Sequence, residues 1–188
     1  MKLARLTLLA PCLLGAALAV HAGVAAPGSP AHHGAHRRAS LADWQFMRRA
    51  AATGHAVVAA GTFAQTHAAE SGVRELATAL AQEDDLIERR LSLLSLYTQV
   101  PLPGSPASDD AQALAALHQM GGETFDQHWL QEVAALQKRL VDLFQKEAAS
   151  RAADPGLRSL AREFLPRLQA ELHSTEKLQG GVAAAAGS

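Results

Sequence analysis

The chain has 188 residues, with 17 Lys and Arg against 18 Asp and Glu. That near-neutral balance, with no basic cluster larger than a pair such as Arg37-Arg38, excludes the electrostatic footprint of a nucleic-acid binder. The length suits one domain behind a short leader.

The first residues read as a secretory signal. Lys2 and Arg5 supply a positive start, and an apolar stretch runs from Leu6 to Val20. Pro11 and Gly15 interrupt it, and its length speaks against an uncleaved membrane anchor. Val20-His21-Ala22 places the cut after Ala22, and Val24-Ala25-Ala26 offers a later one after Ala26. Cys12 follows Pro11 where a lipoprotein needs a small residue, so lipidation is not expected. A cut after Ala22 leaves no cysteine, and so neither a disulfide nor thiol catalysis. It also leaves 15 basic residues against 18 acidic ones, a net charge of −3. No later apolar run reaches the length of a membrane span. The expected layout is a signal at 1–22, a disordered leader at 23–39, a bundle domain at 40–179 and a disordered Ala/Gly tail at 180–188. In the leader, His32, His33 and His36 read as a solvated tract, since nothing fixes their geometry.

Ser40 is the expected N-cap of a first helix running to about Ala69. Its inner face carries Met47, Ala50, Gly54, Val57, Gly61, Ala64 and Ala68. The spacing is helical but the side chains are small, which predicts close approach of a neighbouring helix. Gly72 breaks the run, and Ser71 is the expected cap of a second helix to about Thr98. Val73, Leu76, Ala77, Leu80, Ile87, Leu91 and Leu94 mark its inner stripe. Pro101, Pro103 and Pro106 enforce a non-helical connection. Ser108-Asp109-Asp110 opens a short helix ending near Gly121-Gly122.

A third long helix is expected from about Glu123 to Arg151, with Phe125, Trp129, Val133, Leu136, Leu140 and Phe144 inward. Asp154-Pro155 signals a fresh start, an N-cap carboxylate with proline at the first helical position. Leu157, Leu160, Ala161, Phe164, Leu168 and Leu172 form the fourth stripe, which Pro166 should bend. No segment alternates with a period of two. The expected fold is all-α, an antiparallel four-helix bundle with one short extra helix between long helices two and three.

Three stripe positions are polar. Asp84 falls between Leu80 and Ile87, Gln137 between Val133 and Leu140, and Glu171 beyond Phe164 and Leu168. An inward charge is expensive unless paired or bound to an ion. The economical reading therefore places all three at the bundle rim or turned to water. A di-iron bundle needs Glu-x-x-His pairs on two helices, and no stripe here carries one. His55, His67, His118, His128 and His173 are scattered and read as solvated or satisfied polar residues.

Asp43 and Phe46 with Ala50-Ala51 and Gly54, Gly61 and Ala64, Val73 with Leu76-Ala77, and Pro101-Leu102-Pro103 follow in order. Phe125-Asp126, Leu143-Phe144, Glu147-Ala148, Asp154-Pro155 and Leu165-Pro166 with Leu168 complete the series. In that order they resemble the secreted bacterial ferritin-like bundles filed as domain of unknown function 4142, over about residues 41–178. The resemblance implies a four-helix, ferritin-like fold exported to the periplasm or outer envelope. It also implies a glutamate on the first helix, an Asp-His pair on the second and a histidine on each of the third and fourth. By register those places hold Val57, Glu83-Asp84, Gln137 and Glu171. Every inward histidine is absent, so the resemblance carries no metal site over intact. Glu83, Asp84 and Glu171, with Glu88 nearby, remain as oxygen donors for a weakly held divalent or iron ion.

No nucleophile–base pair and no phosphate-binding loop is legible. The expectation is an exported, periplasmic or outer-envelope bundle that is not an enzyme, holds no cofactor and has a binding or structural role toward an unknown envelope partner. The alternative is a ferritin-like metal-binding protein that uses the residual carboxylates. A third reading is association with membranes through helices, although filled stripes require no exposed apolar area.

Overall fold

The computed structural model describes residues 39–186. Five helices follow one another: α1 (Leu41–His67), α2 (Ser71–Thr98), α3 (Ser108–Leu117), α4 (Gly122–Ala149) and α5 (Pro155–Ala186). There is no strand among the described residues. The expected signal, and all of the expected leader but Ala39, lie outside the described residues.

Two helix starts form from local chemistry. Ser40 Oγ accepts the Asp43 N–H at 3.1 Å, and Asp43 Oδ2 accepts the Ser40 N–H at 2.9 Å. This reciprocal box satisfies donors that the first turn of α1 leaves unpaired. At α5, Asp154 Oδ1 accepts the N–H groups of Gly156 at 2.8 Å and Leu157 at 3.3 Å. Pro155 sits where a missing N–H costs nothing.

The start of α2 is built differently from the expectation. Ser71 is its first helical residue rather than its cap, and the cap position, Glu70, makes no side-chain bond. Asp126 of α4 reaches across instead. Its two carboxylate oxygens accept the N–H groups of Ala69 at 3.1 Å and Glu70 at 2.7 Å. Arg74 donates to the carbonyls of Ala68 at 2.6 Å and Ala69 at 2.7 Å. The α1–α2 turn is therefore held through both its donors and its acceptors.

Cross-links between helices fix the topology. Trp129 Nε1 donates to the Ala60 carbonyl at 2.9 Å, and Asp43 lies beside Glu147, so α1 and α4 run antiparallel. Arg90–Glu163 at 3.0 Å and Arg167–Glu83 at 3.1 Å set α2 antiparallel to α5. The proline-rich segment and α3 return the chain from the end of α2 to the start of α4. Consequently α2 and α4 run the same way, and every neighbouring pair of long helices is antiparallel. The short helix occupies the connection where the sequence placed it.

Trp129, Phe125, Phe144, Phe164 and Met47 are the bulkiest fully buried side chains. Phe46 meets Phe144 edge-on at 5.2 Å between ring centroids. Phe63 lies between His67 at 3.7 Å and His118 at 4.0 Å, with Phe125 edge-on at 5.6 Å.

α5 runs unbroken through Pro166, although a proline inside a helix costs on the order of 3 kcal/mol. It also continues past Gln179, the expected limit of the bundle, through Gly180-Gly181 to Ala186. Leu178 and Val182 pack against the core and supply the anchoring that composition alone did not reveal.

Small residues on α1 do bring α2 close. A Cβ at Gly61 would stand 2.7 Å from the Ala77 carbonyl oxygen and 3.1 Å from Ala81 Cβ. A Cβ at Gly54 would meet only Asp84 Oδ1, at 3.8 Å, an ordinary contact. Gly61→Ala should therefore lower stability by about 1–3 kcal/mol through overpacking. Gly54→Ala should raise it by up to about 1 kcal/mol through helix propensity. Urea denaturation of the two variants reads the contrast directly.

Candidate functional site

The helical spacing Leu80, Asp84, Ile87, Leu91 places Asp84 within the buried stripe of α2, where it is 1% exposed. Gly54 faces it from α1 and leaves room beside the carboxyl. Gln137 of α4 lies between Val133 and Leu140 and is fully buried. Glu171 of α5 is half-buried, with Oε2 out of contact with water. Both oxygens of Asp84, both ends of the Gln137 amide and Glu171 Oε2 have no hydrogen-bond partner.

The rim reading is thus overturned for Asp84 and Gln137, which point into the interior. Glu83 separates from Asp84 because successive residues on a helix stand about 100° apart. It turns outward and accepts from Arg167 at 3.1 Å. Glu88 is also drawn off, to His55 Nδ1 at 3.4 Å, while His55 Nε2 lies 3.0 Å from the Pro103 carbonyl. Of the sequence candidates, the fold brings Asp84 and Glu171 within electrostatic reach of each other and leaves Glu83 on the outer edge. No three His, Cys, Asp or Glu side chains converge as a metal would require, among the described residues.

Burial, then the charges of Glu171 and Glu83, raise the Asp84 carboxyl well above the ordinary carboxylate range. Burial and the Glu83 charge push Glu171 up to about 8, against the opposing pull of Arg167. Both shifts run the same way, toward the protonated, neutral form of the two carboxyls.

A second carboxyl group cluster went unrecognised in the sequence. Asp43 Oδ1 accepts the Asp154 N–H at 3.0 Å, in addition to its part in the α1 cap. Burial works to raise Asp43, but the bonds from Asp154, Ser40 and Glu147 outweigh it and hold it below the ordinary range. Glu147, 6% exposed, is pushed up to about 7 by burial and then by the Asp43 charge. Its protonated form can donate to Asp43, which would tie the end of α4 to the starts of α1 and α5. Only the motif position of Glu147 hinted at this, since the pair is far apart in sequence.

The family described as "Domain of unknown function (DUF4142)" matches residues 28–178. The chain belongs to this family. This DUF4142 chain is also similar to a solved structure, the crystal structure of a DUF305 fragment from Deinococcus radiodurans. The two share 17% identity and a TM-score of 0.66, over 76% of this chain and 98% of the fragment. At that identity the likeness concerns the fold. No curated protein matches the chain.

Of the places assigned by register from the resemblance, Val57, Asp84 and Gln137 are buried, Glu171 is half-buried and Glu83 turns to Arg167. The donors there are carboxyl and amide oxygens without an imidazole. Such a set does not fit a histidine-held transition metal.

Two outcomes follow. Gln137→Met, close to the same shape without the unpaired amide, should raise stability by about 1–3 kcal/mol in urea denaturation. Stability should also depend on pH. Glu147 and Glu171 have folded pKa values of about 7 and about 8, above the ordinary 4.5. The folded chain then binds more protons than the unfolded one, so stability is greatest below the unfolded value and falls as pH rises through the folded ones. Urea midpoints should drop between about pH 5 and about pH 9, and Glu171→Gln should flatten the upper part of that fall.

Proposed function

We propose that this DUF4142 protein is an exported bundle of the periplasm or outer envelope, with a non-catalytic binding or structural role toward an envelope partner. Its up-down-down-up order with one long crossover supports a ferritin-like reading of the bundle. Fold type alone does not assign chemistry. One observation carries the non-catalytic reading: Glu83 is drawn outward to Arg167, while Asp84 and Gln137 lie inside without partners. That division breaks up the donor set that an inward metal or acid–base centre would need. The export half of the reading rests on the charged start and apolar stretch of the first 22 residues.

A second reading is favoured by the same unpartnered oxygens. The oxygens of Asp84 and Glu171 would suit a hard divalent cation better than iron or zinc. Binding would have to displace the protons that the two carboxyls retain, which makes it weak at neutral pH and stronger as pH rises.

Thermal melts with chelator and with added magnesium, manganese, iron or zinc separate the readings. The first expects the curves to superimpose at neutral pH. A large metal-dependent rise in Tm, growing with pH, would replace it with the second. Fractionation of the native cell tests export: recovery of the shortened chain with the cytoplasm would contradict it.

A further inference from the structure

Filled stripes require no exposed apolar area, yet the bundle has some, concentrated at one end. Leu41 and Trp44 of α1 are 72% and 40% exposed, and Leu93 and Leu96 of α2 are 65% and 79% exposed. The start of α1 and the end of α2 meet there. Thr98 Oγ1 donates to Met47 Sδ at 3.4 Å, and Arg48 Nη1 donates to the Pro101 carbonyl at 2.8 Å. The bond from Asp154 to Asp43 brings the end of α4 and the start of α5 to the same place.

The charge at this end is asymmetric. Arg48 lies over the Trp44 ring at 4.7 Å. Arg49, Lys146 and Arg151 make no ion pair or side-chain hydrogen bond among the described residues. The nearby carboxyl groups are mostly withdrawn from the surface. Asp43, Glu147 and Asp154 are buried, and Asp85 and Glu163 are paired with Arg89 and Arg90. Asp109 and Asp142 stay exposed on the α3–α4 flank, where Arg139 pairs with Asp110. The opposite end, around the α1–α2 turn and the start of α4, carries Glu70, Glu75 and Glu123.

We propose that the apolar, cationic end docks on the surface of an anionic lipid bilayer. Leucines and a tryptophan ring suit the boundary between headgroups and acyl chains, and the unpaired Arg and Lys suit lipid phosphates. A second copy docked end to end would set like charges against each other, which favours the bilayer as the occupant. No helix among the described residues is long and apolar enough to cross a membrane, so the bundle rests on the surface rather than spanning it. This assignment stands on the geometry of the bundle end and does not need the export reading.

The test is flotation of the chain from Gly23 onward, the expected mature form. The vesicles are phosphatidylcholine alone, or phosphatidylcholine with about one-third phosphatidylglycerol. The protein should float with the anionic vesicles and bind neutral ones at least about tenfold more weakly. The double variant Leu93→Ser/Leu96→Ser should lose about tenfold or more in partitioning while its thermal melt stays unchanged. Arg49→Gln/Arg151→Gln should weaken anionic binding and reduce its salt dependence. Failure to float with anionic vesicles would overturn the proposal, as would equal binding to neutral ones or undiminished binding by the leucine variant. A dimer in sedimentation that Leu93→Ser/Leu96→Ser abolishes would assign the surface to a second copy instead.

Discussion

A carboxyl group buried in the seam of a helical bundle, with neither a hydrogen-bond donor nor a counter-ion, cannot hold a charge there. Asp84 is in that position, 1% exposed and with both oxygens unpartnered. Gly54 opposite gives it room without giving it a partner. Glu171 adds a like charge nearby, which makes ionisation of Asp84 costlier still. Burial therefore favours the neutral form of the layer on which the four long helices close.

The same residue types behave differently at the helix ends. Asp43 and Asp126 receive backbone N–H groups from other segments of the chain, and Asp154 receives those of its own helix start. These bonds satisfy donors that every helix start leaves open. They also tie elements that are distant in sequence, α4 to the α1–α2 turn and α1 to the start of α5. The polar groups of the interior do no such work. They cost stability, and removal of the charge is the cheapest adjustment open to them. This contrast separates acids that organise the bundle from acids that only tolerate it.

What was legible in the sequence was what local chemistry decides. Ser40 with Asp43, and Asp154-Pro155, announce helix starts within three or four residues. The stripe on each long helix follows from its period, and the small residues of α1 foretold the close contact at Gly61. The start of α2 was not legible, because its cap comes from Asp126 more than fifty residues away. The inward turn of Asp84 and Gln137 was not legible either. A rotation of about 100° separates core from rim, and tertiary packing sets that rotation. The extension of α5 beyond Gln179 depends on where Leu178 and Val182 find the core, which composition does not show.

The most direct test of a neutral interior is a carbon-13 titration of the side-chain carboxyls of Asp84 and Glu171, followed in metal-free protein. The account predicts that both remain protonated at neutral pH, with Glu171 titrating near about 8. Titration of both in the ordinary carboxylate range, near about 4, would contradict it, because the seam would then be closing around a charge.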